Sequence, residues 1–496
     1  MTKRETGVMI TDIRNAFERY ADNNAFVIED ETYTYSQLAR SVYGIANLIR
    51  ERQDKIIGVV AENKLETYAS ILAVLLCGKT YVVLHPDYPA ERNDNIARQA
   101  GINLILHSQA MCFPVISTPM EAICTTGLQS DEPTGMADAE DDGAVAYIIF
   151  TSGSTGEPKG VPISRRNLNA FYHAYQRLGW HLNEKDRMLQ MFELTFDVSV
   201  VSFLYPLTFG ACVYTVSSEG IKYLNTIDVM ERHELTFAAV APSLLQLVSP
   251  YFSEIRLPKL NYLVVTAEAS SAGLLADFRV CAPNATFVNL YGPTESTIYC
   301  TAYTIPQTGC KHHNGMIAIG KPFDGISICL MDECGKPVAA GARGELWVSG
   351  EQVMKGYWNA PEKSEACLTR GEDGKIYYKT GDLCQIDEEG DAIYCGRKDY
   401  QVKVQGFRIE LSEIEYVAKN YFEGKYNVVV IPEYPEGKGC ELHLVVESTQ
   451  FDKEALQNYI SHKLPPYMVP KYIDGIAHFP LNNSNKIDRK KIHELM

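Results

Sequence analysis

The chain is short of positive charge and of long apolar runs. Its 46 Lys and Arg stand against 62 Asp and Glu, a net charge of −16. Nucleic-acid binding needs clustered Lys and Arg against phosphates, so a nucleic-acid partner is not expected, although one local positive loop still suffices for a nucleotide. The most apolar stretch, Val200 to Val216, is interrupted by Pro206 and Gly210. A bilayer span takes roughly 20 predominantly apolar residues, so this segment reads as buried core and no membrane partner is expected. The opening MTKRETGVMI contains no apolar core of the kind a secretory signal carries. Thirteen cysteines include no CxxC pair. Metal-type spacing is therefore absent, and an odd count suits reduced, mostly buried thiols in a cytoplasmic protein.

At 496 residues the chain outgrows one ordinary core, so at least two domains are expected. Apolar spacing near 3.6 predicts a helix over Ile10 to Tyr20, and the β-branched run Ile56 to Val60 predicts a strand. Such alternation implies α/β architecture. The polar, acidic stretch between Gly127 and Gly143 reads as a surface loop. From Ala144 to Phe150 an apolar strand runs straight into a glycine-rich turn, the kind of place where open α/β sheets hold ligands. Short strands are expected at Glu345 to Ser349 and Ile393 to Cys395. After Gly396-Arg397-Lys398-Asp399 the pattern changes. Helices at Leu411 to Asn420 and Lys453 to Leu464 flank a strand at Asn427 to Ile431. About 100 residues suit a separate small α+β domain, which divides the chain into 1–397 and 398–496.

The turn after the apolar strand reads Thr151-Ser152-Gly153-Ser154-Thr155-Gly156-Glu157-Pro158-Lys159-Gly160. Glycines let backbone N–H groups approach an anion, the hydroxyls donate to phosphate oxygens, and Lys159 supplies charge. No Gly-Lys-Ser/Thr ends this loop, so it is not a Walker loop. The segment resembles the phosphate loop of the acyl-adenylate-forming superfamily, which holds acyl-CoA synthetases, luciferases and the adenylation domains of nonribosomal peptide synthetases. Further matches follow in the same chain order: Asn289-Leu290-Tyr291-Gly292-Pro293-Thr294-Glu295, Gly344-Glu345-Leu346 with Gly356-Tyr357, Tyr378-Lys379-Thr380-Gly381-Asp382, and Gly396-Arg397-Lys398-Asp399 leading into Gln401 to Glu410. Lys486 ends the series in a Lys-Ile-Asp-Arg-Lys string.

The resemblance implies a large N-terminal domain of α/β subdomains, mixed sheets with helices plus a small β-barrel-like part, and a small mobile α+β C-terminal domain. It implies ATP and Mg²⁺ as cofactors. Thr151, Ser152, Gly153, Ser154, Thr155, Gly156 and Lys159 would hold the phosphates, Glu295 the magnesium, and Tyr291, Asn289, Gly292 and Thr294 the adenine side. Asp382 would accept both ribose hydroxyls, with Arg397 in support. Lys486 would stabilise the in-line transition state, with Thr155 and Glu295 completing the catalytic set, and Asp399 would be the hinge. Two departures stand out. Asn485 replaces a glycine of the family pattern, which Asn tolerates in a left-handed turn, and His85 stands where Asp is common, a structural position.

Phe196-Asp197-Val198-Ser199 is similar to the segment that opens the pocket in amino-acid-activating members, where the aspartate pairs with the substrate's α-ammonium. Carried over from the family, the remaining pocket positions are Val198, Val201, Ala239, Val264, Thr266, Leu290, Ile298 and Tyr299. That lining excludes a charged substrate side chain and suits a small or medium uncharged one. The chain ends ten residues after Lys486. A free-standing amino acid–[carrier protein] ligase is therefore expected, with a phosphopantetheinylated carrier protein as separate partner and room for a small activating protein. An acyl- or aryl-CoA synthetase shares the first step, and a nucleotide-binding scaffold without catalysis is the alternative from another class.

Overall fold

The computed structural model describes residues 8–109, 115–132, 143–153, 156–217, 219–399, 401–435, 439–481 and 487–496. Three expected site residues, Ser154, Thr155 and Lys486, lie outside these segments.

Two large sheets carry most of the chain. One has six strands in the order Glu121–Cys124, Leu104–His107, Ile56–Val60, Thr80–Leu84, Val145–Thr151, Lys159–Ser164. The other has nine, running from Lys321–Pro322 through Thr301–Ile305, Thr286–Tyr291, Tyr262–Val265, Phe237–Val240, Arg187–Gln190, Cys212–Thr215 and Asn24–Ile28 to Glu31–Thr34. Both interiors are parallel, with antiparallel pairings toward the edges. Parallel strands are buried on both faces and read as near-continuous apolar runs, as Thr80–Leu84 does with every residue buried.

Against the strands Arg187–Gln190 and Cys212–Thr215 packs the helix Asp197–Leu207, whose eleven residues are all buried. A helix apolar on every side belongs inside a core, which accounts for the apolar stretch that begins at Val200. Pro206 sits in its last turn, where the chain is already leaving the helix. Asp197 opens this helix, and the preceding Phe196 occupies the cap position without a side-chain cap bond. The aspartate is therefore not a capping residue.

The small barrel-like part expected from the resemblance is a five-stranded antiparallel sheet of Ile326–Met331, Gly344–Gly350, Ile376–Ile386, Leu368–Arg370 and Ala392–Arg397. Farther on, Val402, Ile414, Leu444, Leu456 and Ile473 belong to a separate core. It packs a three-stranded sheet, Val428–Glu433, Glu441–Val446 and Tyr472–Gly475, against the helices Leu411–Tyr421 and Lys453–Ser461. Ahead of it stands a two-stranded hairpin, Gln401–Val404 and Phe407–Glu410. Its turn residues Gln405 (φ 52°) and Gly406 (φ 85°) both take positive φ. That is the two-residue turn whose twist matches a right-twisted hairpin. Among the described residues the cysteines are free and no helix is long and apolar enough to cross a membrane.

Candidate active site

The glycine-rich segment connects two antiparallel strands, with Thr151 opposite Lys159. It is a hairpin loop, not a turn that feeds a helix, so no helix N-terminus adds to its N–H groups, hydroxyls and Lys159. The described part of the loop is engaged by residues far along the chain. The Ser152 hydroxyl donates to the Arg408 carbonyl (2.9 Å) and accepts from the Glu410 N–H (3.1 Å). The Gly153 N–H donates to the Glu413 carboxylate (3.1 Å), whose other oxygen pairs with Arg92 at 2.7 Å. At Gly156 the φ is +80°, and a Cβ there would fall 2.2 Å from the Tyr416 ring. Among the described residues the buried Thr151 hydroxyl finds no hydrogen-bond partner.

At the centre lies Glu295, fully buried in the short helical turn Thr294–Ser296. Its carboxylate accepts from Arg408 (2.7 Å) and from the Tyr357 hydroxyl (2.7 Å), with the Lys159 ammonium 3.7 Å away. Burial would push this acid up, but Arg408 and Lys159 outweigh it and hold the group at about 2. Lys159 is pulled below the usual lysine range by burial and by the nearby Arg408, against the attraction of Glu295 and Glu410.

Asp382 accepts from the Tyr291 hydroxyl on one oxygen and from Arg397 (2.6 Å) on the other. Arg397 in turn grips Asp399 through two nitrogens at 2.6 and 2.8 Å. A cavity of about 310 Å³ opens beside this cluster, bordered by Asn289, Leu290, Tyr291, Gly292, Asp382 and Arg397. The Asn289 amide nitrogen donates to the Ala318 carbonyl (2.9 Å). Its carbonyl oxygen is thereby left as the acceptor, the polarity an amino edge requires.

A second, smaller cavity of about 50 Å³ adjoins it, lined by Asp197, Val198, Thr266, Thr294, Ile298 and Tyr299 among others. Asp197 is 7% exposed. Burial raises it to about 6, against the pull of the Thr294 hydroxyl and of Lys403. Thr297 (φ 61°) and Ile298 (φ 68°) are consecutive β-branched residues with left-handed backbone. Such conformations cost of order 1–3 kcal/mol each and persist only where the surroundings enforce them. Here the Thr297 hydroxyl donates to the Gln352 carbonyl (2.5 Å), and the Gln352 amide donates to the Tyr299 carbonyl (2.7 Å). Gly292 completes the constraint, since a Cβ on it would fall 2.5 Å from the Ile298 oxygen.

The structure therefore brings together Thr151, Ser152, Gly153, Gly156, Lys159, Glu295, Asp382, Arg397 and the pocket residues Asp197, Val198, Thr266, Ile298 and Tyr299. Val201, Ala239 and Val264 are buried in the core and border neither cavity. His85 stacks on Tyr88 (ring centroids 4.7 Å) and lies 3.5 Å from Glu193, a packing role.

Sequence reasoning missed Lys403, Arg408, Glu268 and Glu413. Lys403 and Arg408 are paired across the 401–410 hairpin and face the site together. Lys403 lines both cavities and is held below the usual lysine range by burial. Opposite the hairpin turn, half-buried Glu268 accepts from the N–H groups of Gly406 (2.6 Å) and Ser243 (2.9 Å). The period-2 pattern around Gln405-Gly406 contained the signal for Lys403 and Arg408, because a two-residue turn fixes which residues share a face. Nothing local marks Glu268.

The sequence profile of the family described as AMP-binding enzyme matches residues 13–358. Tyrocidine synthase 3 of Brevibacillus parabrevis is 30% identical over 503 residues, covering 97% of this chain and 8% of that protein. Gramicidin S synthase 2 of Aneurinibacillus migulanus is 29% identical over 488 residues, covering 96% of this chain and 11% of that protein. The chain thus spans a small part of the length of these relatives. In fold it is similar to the adenylation domain AlmE of Vibrio cholerae in complex with glycyl-adenosine-5′-phosphate. The TM-score is 0.83 at 24% identity, over 100% of this chain and 99% of that one. It is likewise similar to holo-PA1221, an NRPS protein containing adenylation and PCP domains. That TM-score is 0.85 at 22% identity, over 99% of this chain and 84% of that one.

Proposed function

The chain belongs to the AMP-binding enzyme family, and from that premise we propose that it is an AMP-forming amino acid–[carrier protein] ligase. It joins an α-amino acid to AMP at the expense of ATP, then passes the aminoacyl group to the phosphopantetheine thiol of a separate carrier protein. Asp197 carries this reading. It is a buried carboxylate on the wall of the smaller cavity, and among the described residues no cation stands within ion-pair distance of it. A buried charge without a partner is costly, and the α-ammonium of a substrate is the partner that removes the cost. The glycyl adenylate bound by AlmE supports the same class of substrate.

In the first step the substrate carboxylate attacks the α-phosphate and pyrophosphate leaves, so two anions must approach. Lys159 and the loop N–H groups of Gly153 and Gly156 neutralise the phosphates, and Lys486 offsets the charge that develops at the attacked phosphorus. Asp382 and Arg397 hold the ribose, Tyr291 and Asn289 the base. Glu295 is ionised and buried, which fits a hard cation. Among the described residues no cluster of three or more His, Cys, Asp or Glu accompanies it. A magnesium ion there would complete its shell with triphosphate oxygens and water, the usual pattern for this ion, and would supply charge neutralisation to the leaving pyrophosphate.

The second step needs the loop emptied of pyrophosphate, and the contacts of Ser152 and Gly153 with Arg408, Glu410 and Glu413 occupy it. This arrangement suits thiol transfer. We assign residues 398–496 to a mobile domain that turns about Asp399, exchanging Lys486 for the Gly406 turn. The test is ATP–pyrophosphate exchange with Mg²⁺ across amino acids and plain carboxylic acids, in wild type and Asp197→Ala. Exchange with amino acids that Asp197→Ala abolishes supports the reading. Exchange only with acids lacking an α-amine overturns it in favour of a CoA-type ligase.

A further inference from the structure

Gly406, in the turn of the hairpin Gln401–Val404 and Phe407–Glu410, is buried, although turns ordinarily face water. It enters a notch bounded by Ala241, Ala267 and Glu268, where a Cβ placed on it would fall 3.7 Å from the Ala241 Cβ and 3.7 Å from the Ala267 Cβ. In a two-residue turn with positive φ at both positions, the N–H of the second residue stays outside the strand ladder and needs a partner elsewhere. The Glu268 carboxylate is that partner. One oxygen accepts from the Gly406 N–H at 2.6 Å, and the other from the Ser243 N–H at 2.9 Å.

The carboxylate is aimed at this turn by its own backbone. Ala267, directly before it, is left-handed (φ 70°), a conformation that a residue with a Cβ keeps only where the surroundings enforce it and that gathers at functional sites. Burial raises the Glu268 carboxyl, against the pull of the Gly406 and Ser243 N–H groups, so the bond to Gly406 offsets part of the cost of burying it. The bond to Ser243 joins two residues of the 1–397 part and holds the carboxylate whether or not the hairpin is docked. The same hairpin carries Lys403 and Arg408, paired across it and lining the smaller cavity, and its Phe407 meets Phe196 edge-on at 4.7 Å, next to Asp197. Fixing the turn therefore fixes where these side chains stand. Rotation about Asp399 would carry Gly406 away and leave Glu268 behind. Resting on the two-step reaction proposed above, we infer that Glu268 is a positioning residue for the transfer step: its carboxylate receives the Gly406 N–H when the small domain docks for thiol transfer, and so sets the hairpin that bears Lys403 and Arg408 against the site. The bond does not form in the adenylation arrangement, so its loss weighs on the second step.

The experiment compares wild type, Glu268→Gln and Glu268→Ala in two rates: ATP–pyrophosphate exchange, and single-turnover transfer from the preformed adenylate to free pantetheine as acceptor thiol. Glu268→Gln keeps the size of the side chain but offers one acceptor oxygen to two N–H groups, and Glu268→Ala offers none. The ratio of transfer to exchange should fall by about ten-fold or more in Glu268→Ala, as for a lost hydrogen bond to a charged group, and by a smaller factor in Glu268→Gln. Hydrogen exchange at the Gly406 amide should quicken in both variants, an effect that a general loss of stability would not confine to that turn. Should Glu268→Ala fail to fold, Glu268→Gln decides alone. An unchanged ratio in either folded variant overturns the positioning role, and so do equal losses in both rates, which would place Glu268 in the service of the nucleotide or of the fold. A wild type that exchanges but acylates no thiol overturns the transfer reading itself.

Discussion

Replacing Asp197 by Asn should make the free protein more stable and the enzyme inactive. The carboxyl sits about two pH units above its ordinary value, raised from 3.8 to about 6. Each unit is worth 1.36 kcal/mol, so the ionised side chain costs the free fold up to about 3 kcal/mol at neutral pH. The sign follows from linkage. A carboxyl raised in the folded state binds its proton more tightly there than in the unfolded chain, so it withdraws stability as pH climbs from the unfolded value through the folded one. The penalty is absent below about pH 4, half developed near pH 5 and complete above about pH 6. Asn is neutral throughout and escapes it. Thermal unfolding of wild type and Asp197→Asn at pH 5 and pH 8 measures the difference. The variant should melt about 2–5 °C higher at pH 8, with the gap roughly halved at pH 5. Its amino-acid-dependent exchange should fall by at least about 100-fold, because the ammonium loses a buried charged partner. A variant that melts below wild type at pH 8 would show that Lys403 already compensates the carboxylate in the free enzyme. That result would remove the argument that Asp197 awaits a cation.

Glu295→Gln should do the reverse to stability, because it strands Arg408 and Lys159 in the interior. A loss of about 3–5 kcal/mol is expected, read as a lower melting temperature at pH 7, together with a loss of Mg²⁺-dependent exchange. Since Glu295 is held at about 2, its contribution is complete above its ordinary value of 4.5 and is lost only as pH falls toward 2. Glu413→Gln, which breaks the buried pair with Arg92 and weakens the grip on Gly153, should slow aminoacyl transfer to a carrier by about ten-fold or more while sparing pyrophosphate exchange; equal losses in both reactions would contradict it. Gly406→Ala places a Cβ at φ +85°, a strain of about 1–2 kcal/mol. Single-turnover transfer should slow accordingly, with exchange again the control.

The chemistry-bearing segments were legible because each is a local device. An apolar run such as Ala144 to Phe150 must be a buried strand, a string of Gly, Ser and Thr must turn, and spacing near 3.6 placed the helix at Leu411 within a residue of where it lies. Asp197, Glu295 and Asp382 could be singled out from their strings because the residue type and its immediate neighbours carry the resemblance. The family resemblance added the pocket list, but a list of positions carries no depth. Tertiary structure alone decided that Val201, Ala239 and Val264 lie in the core and border neither cavity, since this depends on what each side chain packs against. Ser152 meets Arg408, 256 residues away, and Arg92 meets Glu413 across 321. No local pattern encodes such pairs. The charge state of the site has the same origin: Asp197 and Glu295 are both buried acids, yet one is pushed up and the other held down. The difference is the cations that folding brings within reach of each carboxylate, and distance in space is the quantity a linear pattern does not contain.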